Sequence, residues 1–186
     1  VLREVYNLRV RFFLGSLEPP EASSGSKTSN PVDHAQILHE IETYDDVVLL
    51  DVPEGYKMNS RKGLLLLEWC AQHLAAEFLL KVDDDLYLRP APVLAVLSRR
   101  TPFGYIWGYF DYLSPVPREE GDPFSSDEET FPFPAFPPYP RGVVRALSMD
   151  VVRRVADAGR KGRLRMVAGD DPCLGVHLRQ LVFDEE

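Results

Sequence analysis

Residues 78–88, Phe-Leu-Leu-Lys-Val-Asp-Asp-Asp-Leu-Tyr-Leu, place three consecutive acids between two apolar runs. The first five residues have the composition of a buried strand, so Asp83, Asp84 and Asp85 fall where that strand emerges. In open α/β sheets, ligands bind beyond the carboxyl ends of strands. If the backbone stays extended, Asp83 and Asp85 point to one side, about 6.6 Å apart, and Asp84 points away. Two carboxylates so placed can share one hard divalent cation, which offsets their repulsion. The same residues also suit a solvated turn, where aspartates are common. From this stretch alone both readings stay open.

Outward from the acids, strand and helix signals alternate. Residues 10–14 and 47–52 are short apolar strands, and 34–44 carries helical apolar spacing at Ile37, Leu38 and Ile41. A helix is expected from about residue 59 or 60 to 76, despite Gly63 near its start. Pro90 opens a helix to about residue 99, and 105–110 is a further strand. Residues 115–140 hold eight of the sixteen prolines, an excursion too long for a plain connection. A short strand at 145–147 and a helix over 148–158, capped by Ser148 and closed by Gly159, follow. Asp170 or Asp171 before Pro172 opens a last helix, and 181–183 reads as a final strand. Strand–helix alternation predicts an α/β fold, one domain over residues 1–186, with a mostly parallel central sheet flanked by helices.

The chain has 186 residues, 45% hydrophobic, enough for one substantial core. A net charge of −8 argues against nucleic acid as a partner, because tracking phosphates needs a basic surface. An anionic ligand would need a bound cation or a local basic patch. No stretch has the roughly 18–20 apolar residues of a membrane span. The chain begins with Val1 and has no signal-peptide pattern, so it is expected to be part of a longer protein.

A second acidic pair, Asp170-Asp171, lies in the run Gly-Asp-Asp-Pro-Cys-Leu-Gly at 169–175. Its structural reading is a helix N-cap at Asp171 ahead of Pro172. Its functional reading is a carboxylate held at a helix start, able to accept a proton. Capping competes with that role, and on these residues alone the cap is preferred.

Set in order, these pieces resemble the β1,3-glycosyltransferases that include the galactosyltransferase and Fringe-type enzymes. The resemblance runs from about Phe12 to Leu178. It is carried by the strand at 11–16, by residues 44–56 with Met58, Asn59 and Lys62, and by the Trp69 helix leading into Asp83-Asp84-Asp85. The aromatic-glycine strand at 105–110, the block 136–152 and the block 169–175 complete it. The resemblance implies the nucleotide-diphospho-sugar transferase fold of the A type (GT-A). It implies that Asp83 and Asp85 hold Mn²⁺ or another divalent cation on a UDP-sugar, with Asp84 on the ribose or sugar. Asp171 would be the general base and Asp170 its neighbour, while Lys62, Trp107, Gly108 and Gly142 would shape the donor pocket. The implied reaction moves a sugar, galactose first, from a UDP-sugar to a carbohydrate hydroxyl of a glycan acceptor in β1,3 linkage, with inversion. The implied location is the Golgi lumen, through a type II membrane anchor absent from this chain.

Departures are also visible. The family's upstream arginine-rich nucleotide segment and its C-terminal region are not present in residues 1–186. Val143-Val144 replaces the usual glycine pair, and Arg145 takes the place of a tyrosine. His177 reads as helix surface, and no disulfide is expected between Cys70 and Cys173. An alternative is a catalytically incomplete transferase-like domain that binds a sugar or a partner. A haloacid-dehalogenase-type phosphatase fits poorly, since Leu86-Tyr87 stands where small hydroxylic residues are needed.

Overall fold

Apolar runs and helical periods become elements close to where the sequence places them. The computed structural model describes residues 7–16 and 34–183. In chain order these form β1 (Phe12–Ser16), α1 (His34–Tyr44), β2 (Val47–Pro53), a 3₁₀ turn (Tyr56–Met58), α2 (Asn59–His73) and β3 (Phe78–Val82). Then follow α3 (Pro90–Leu97), β4 (Ile106–Asp111), β5 (Tyr139–Ser148), α4 (Met149–Arg160) and α5 (Asp170–Phe183). The expected strand at 181–183 is the last turn of α5. Leu178 and Leu181 pack on the core at helical spacing, so the apolar run there belongs to a helix face.

The expectation of a mostly parallel sheet is corrected. Among the described residues only β1 and β2 pair in parallel, in a two-stranded sheet. The larger sheet has the order β3-β5-β4, with β5 antiparallel to both neighbours. Strands β3 and β4 therefore run the same way, with α3 between them in the chain. The proline-rich excursion then brings the chain back in the opposite sense and lays β5 between them. Alternation along the sequence gives the order of elements and leaves the direction of this return open. Strand β5 is also longer than residues 145–147, extending over ten residues.

One face of the β3-β5-β4 sheet is covered by helices. Leu64, Leu67 and Cys70 of α2, Val151, Val152 and Val155 of α4, Leu174 of α5 and Leu147 of β5 form one buried cluster. Each such side chain contributes about 1.5–3 kcal/mol on burial, which helps offset the ordering of these elements. A second cluster lies under the excursion, where Val116, Phe131 and Phe136 pack on Val167, Cys173 and Val176. Arg118 donates to the carbonyl oxygens of Ser126, Phe131 (2.7 Å) and Phe133 (2.8 Å), fixing the loop from within. The excursion is thus a packed layer against α5, the helix that begins with Asp170 and Asp171.

Glycine marks two helix features that the sequence placed differently. Gly159 lies inside α4, where a Cβ would stand 2.8 Å from Leu64 Cδ1, so it allows α4 and α2 to approach. The left-handed residue beyond the helix is Gly162, with φ 64°. Ser148 precedes α4 without capping it, and its Oγ instead accepts the Tyr105 N–H at 2.9 Å.

Candidate active site

The sheet register puts Lys81, Arg145 and Gly108 in one row across β3, β5 and β4. Two residues along, Leu79 and Leu147 form the next row on the same face. A small cleft beneath α2 is lined by Gly63, Leu66, Leu79, Lys81, Arg145 and Leu147. Neighbouring like charges on paired strands are destabilising unless acids lie between them. Here acids do. Lys81 Nζ lies 2.7 Å from Asp83 Oδ1 and 3.5 Å from Asp170 Oδ2. Arg145 reaches Asp170 Oδ2 with Nη2 at 2.9 Å and Asp171 Oδ1 with Nη1 at 2.7 Å. The two acidic motifs, distant in sequence, are joined through these two cations.

The geometry at the start of α5 removes the N-cap reading of Asp171. The Cys173 N–H donates to Gly169 O at 3.0 Å, which puts Gly169, with φ 83°, at the position before the helix. Asp170 and Asp171 are its first two residues, where the helix dipole favours negative charge. Asp171 turns its carboxylate to β5, and its Oδ2 accepts the Gly142 N–H at 2.6 Å. A Cβ on Gly142 would stand 2.5 Å from Asp171 Oδ1, so the missing side chain makes this seat. On the other side, a Cβ on Gly63 would lie 3.3 Å from Asp170 Cβ, so α2 passes close to the start of α5.

Burial, with the charge of adjacent Asp170, raises the proton affinity of Asp171 above its ordinary value. Arg145, the Gly142 N–H and Lys81 act the other way without cancelling it. Asp171 is therefore a carboxylate whose basicity is strengthened while its orientation is fixed. Each of its oxygens uses one acceptor position on the protein and has another to offer.

The three consecutive acids are not extended as expected. Asp83 follows β3 directly and its N–H bonds Val143 O at 3.3 Å, whereas Asp84 and Asp85 form a turn and are exposed. The alternation of faces therefore does not continue to Asp85. Aspartates accept turn conformations readily once the strand ladder ends. Asp84 and Asp85 engage no other group among the described residues. Among the described residues no three His, Cys, Asp or Glu side chains converge on one metal position. The carboxylates of Asp83 and Asp85 supply the hard oxygens a divalent cation takes, and most of its coordination would have to come from ligand and water oxygens, as Mg²⁺-like sites allow. They do not fit a cation enclosed by protein alone.

The remaining predicted residues lie apart or act indirectly. Lys62 pairs with Glu54 at 2.6 Å, and Glu54 Oε1 also accepts the Gly15 N–H, so Lys62 braces the end of β2. Trp107 pairs with Ala146, one residue off the Arg145 row, and so faces the opposite side of the sheet. Gly108 is opposite Arg145, where a Cβ would stand 3.4 Å from the arginine Cβ. His177 is corrected from helix surface to core: it is 3% exposed. Its Nε2 lies 3.0 Å from Arg165 O and 3.3 Å from Cys173 Sγ. Burial lowers its pKa to about 4. Both cysteines are free and buried.

Lys81 is a site residue that sequence reasoning did not single out, and Arg145 stood there only as a departure from the family pattern. The signals were present. Lys81 is two residues before Asp83 on a strand and shares its face, and Arg145 is the one charged residue in the apolar run 143–147.

Comparison with known proteins adds an independent line. A family model described as galactosyltransferase matches residues 8–185. The beta-1,3-galactosyltransferase GALT1 of Arabidopsis thaliana is 27% identical over 173 residues, covering 92% of this chain and 25% of that protein. UDP-GalNAc:beta-1,3-N-acetylgalactosaminyltransferase 2 of Homo sapiens is 29% identical over 161 residues, 81% of this chain and 31% of that protein. A Mus musculus acetylgalactosaminyl-O-glycosyl-glycoprotein beta-1,3-N-acetylglucosaminyltransferase is 30% identical over 174 residues, 92% of this chain and 43% of that protein. The chain thus spans less than half the length of these relatives, whose names carry three different sugars.

Proposed function

Since the chain belongs to the galactosyltransferase family, we propose that it works in β1,3-glycosyl transfer from a UDP-sugar, galactose first, to a carbohydrate hydroxyl. The observation that carries this proposal is the ion-pair chain Asp83–Lys81–Asp170–Arg145–Asp171, which joins the two acidic motifs at one sheet end. The A-type nucleotide-diphospho-sugar transferase fold belongs to the same proposal, and the mixed α/β architecture supports it. Location in the Golgi lumen is a further part of the proposal. No helix among the described residues is long and apolar enough to cross a membrane.

In this mechanism Asp171 takes the proton of the acceptor hydroxyl while that oxygen attacks the anomeric carbon. The bond to the diphosphate breaks on the opposite side, so configuration inverts and the leaving electrons stay on UDP. Gly142 N–H and Arg145 keep the Asp171 carboxylate fixed as its charge is neutralised. Asp83 and Asp85 would hold Mn²⁺ or a similar cation, whose charge offsets that of the departing diphosphate. Asp84, in the same turn, would lie towards the ribose or sugar.

The test measures UDP binding and galactose transfer with and without Mn²⁺. Asp171→Asn is expected to keep metal-dependent UDP binding and lose about 10²–10⁴-fold in transfer, the size of a general-base contribution. Asp83→Ala with Asp85→Ala is expected to lose metal-dependent binding itself. Native transfer rates in Asp171→Asn would remove the base role, and metal-independent binding in the native protein would remove the cation role. A second reading, a binding domain without transfer, is favoured by one contact: the Lys81 ammonium already occupies Asp83 at 2.7 Å. Tight UDP binding with no transfer to any acceptor would decide for it.

A further inference from the structure

The most constrained side chain of the site is a basic one. Arg145 is 5% exposed, and its guanidinium divides between two acids, Nη2 to Asp170 and Nη1 to Asp171. Nη1 also lies 3.4 Å from Pro140 O. Room for it comes from Gly108, opposite it on β4, and its other strand neighbour is Lys81. We propose that Arg145 is a positioning residue that holds the two carboxylates of α5 apart and makes Asp171, rather than Asp170, the proton acceptor. The rate consequence rests on the transfer function proposed above; the division of the two acids does not.

The division follows from what faces each carboxylate. Asp170 Oδ2 has two cations near it, Arg145 at 2.9 Å and Lys81 at 3.5 Å, and is paired with both. Asp171 has one cation in contact, Arg145, and a neutral donor, Gly142 N–H. Lys81 acts on Asp171 only at longer range, Asp170 opposes it from its own helix, and the Tyr139 phenol lies on the β5 side. Without Arg145, two adjacent carboxylates would share one helix start with only Lys81 nearby, and of the two Lys81 contacts Asp170 alone. A lysine cannot replace the fork, since one ammonium is a point donor and the two contacts come from separate nitrogens of a plane.

Two variants with opposite expected signs test this by ¹³C-carboxyl NMR titration of Asp171, a readout independent of transfer. Arg145→Lys is expected to raise the Asp171 midpoint, by up to roughly one pH unit, as a partly lost opposite charge does. Asp170→Asn removes the neighbouring negative charge and leaves the whole guanidinium to Asp171, so the midpoint falls. A merely structural role would not give opposite signs in two folded variants. Transfer measured across pH adds the link to function: the acidic limb moves with the midpoint in each variant. Midpoints equal to the native value in both variants would overturn the proposal. Midpoints that move while the acidic limb stays put keep the positioning role of Arg145 and remove Asp171 from the base role.

Discussion

Gly142→Ala tests the carboxylate seat directly, because the three atoms nearest the new methyl all belong to the Asp171 carboxylate. Gly142 does not have left-handed torsion angles, so alanine brings no backbone penalty. Its Cβ would lie 2.5 Å from Asp171 Oδ1 and 3.2 Å from Cγ. An ordinary C···O contact is roughly 3.3 Å, so the carboxylate must retreat by about 0.8 Å. Directed away from Arg145, that movement would stretch the 2.7 Å bond beyond the roughly 3.2 Å limit of a useful hydrogen bond. Losing one charge-assisted bond costs about 1.5–3 kcal/mol. In a chain of this size each kcal/mol moves Tm by roughly 2–4 °C, so thermal unfolding should fall by roughly 3–12 °C. A displacement near 1 Å at a reacting group lowers transfer by about 10²-fold. Gly63→Ala is the control: it gains about 1 kcal/mol of helix propensity against a 3.3 Å contact with Asp170 Cβ that a small adjustment relieves. A Gly142→Ala protein with native Tm and native transfer would refute the seat.

Two further outcomes follow from features away from the reaction. His177 has its folded pKa lowered to about 4 from the usual 6.5, so the unfolded chain takes up its proton first as pH falls. Stability from this residue is complete above pH 6.5 and is lost on acidification through that window, by roughly 3 kcal/mol in all. Denaturant unfolding at pH 7 and pH 4.5 should show a smaller difference in His177→Gln than in the native protein, and equal differences would refute the burial effect. Arg118→Ala should release the excursion it ties to three carbonyls, lowering its opening free energy by about 2 kcal/mol. Limited proteolysis within residues 119–130 should speed by roughly 30-fold, with rates at native values counting against the pinning.

Elements with a strong local cause were legible in the sequence. The strand at 78–82, the helix opened by Pro90 and the last helix after Gly169 all stand near their expected positions. What failed depended on pairing. Nothing local says that β5 inserts between β3 and β4, so neither the antiparallel sheet nor the Lys81–Arg145 row could be read. The same register turns Trp107 away from the acids. Asp84 and Asp85 depart from extended backbone because the ladder ends before them. His177 was misjudged for a different reason: its polarity outweighed a position four residues after buried Cys173 and beside buried Val176.

The insertion of β5 also sets an order of assembly. Lys81 and its acceptor Gly142 O are separated by 61 residues, so β3 leaves the ribosome long before the strand that pairs with it. At roughly 5–20 residues per second that interval is about 3–12 s. During it β3 and β4 both expose unpaired edges, the condition in which strands recruit the wrong partners. Lys81 and Asp83 can meet at once, being local, but Arg145 and the two acids of α5 arrive last. The Arg145–Asp170–Asp171 half of the site therefore comes into being only when the central strand has closed the sheet, which makes its completion a report that the nascent chain has folded correctly.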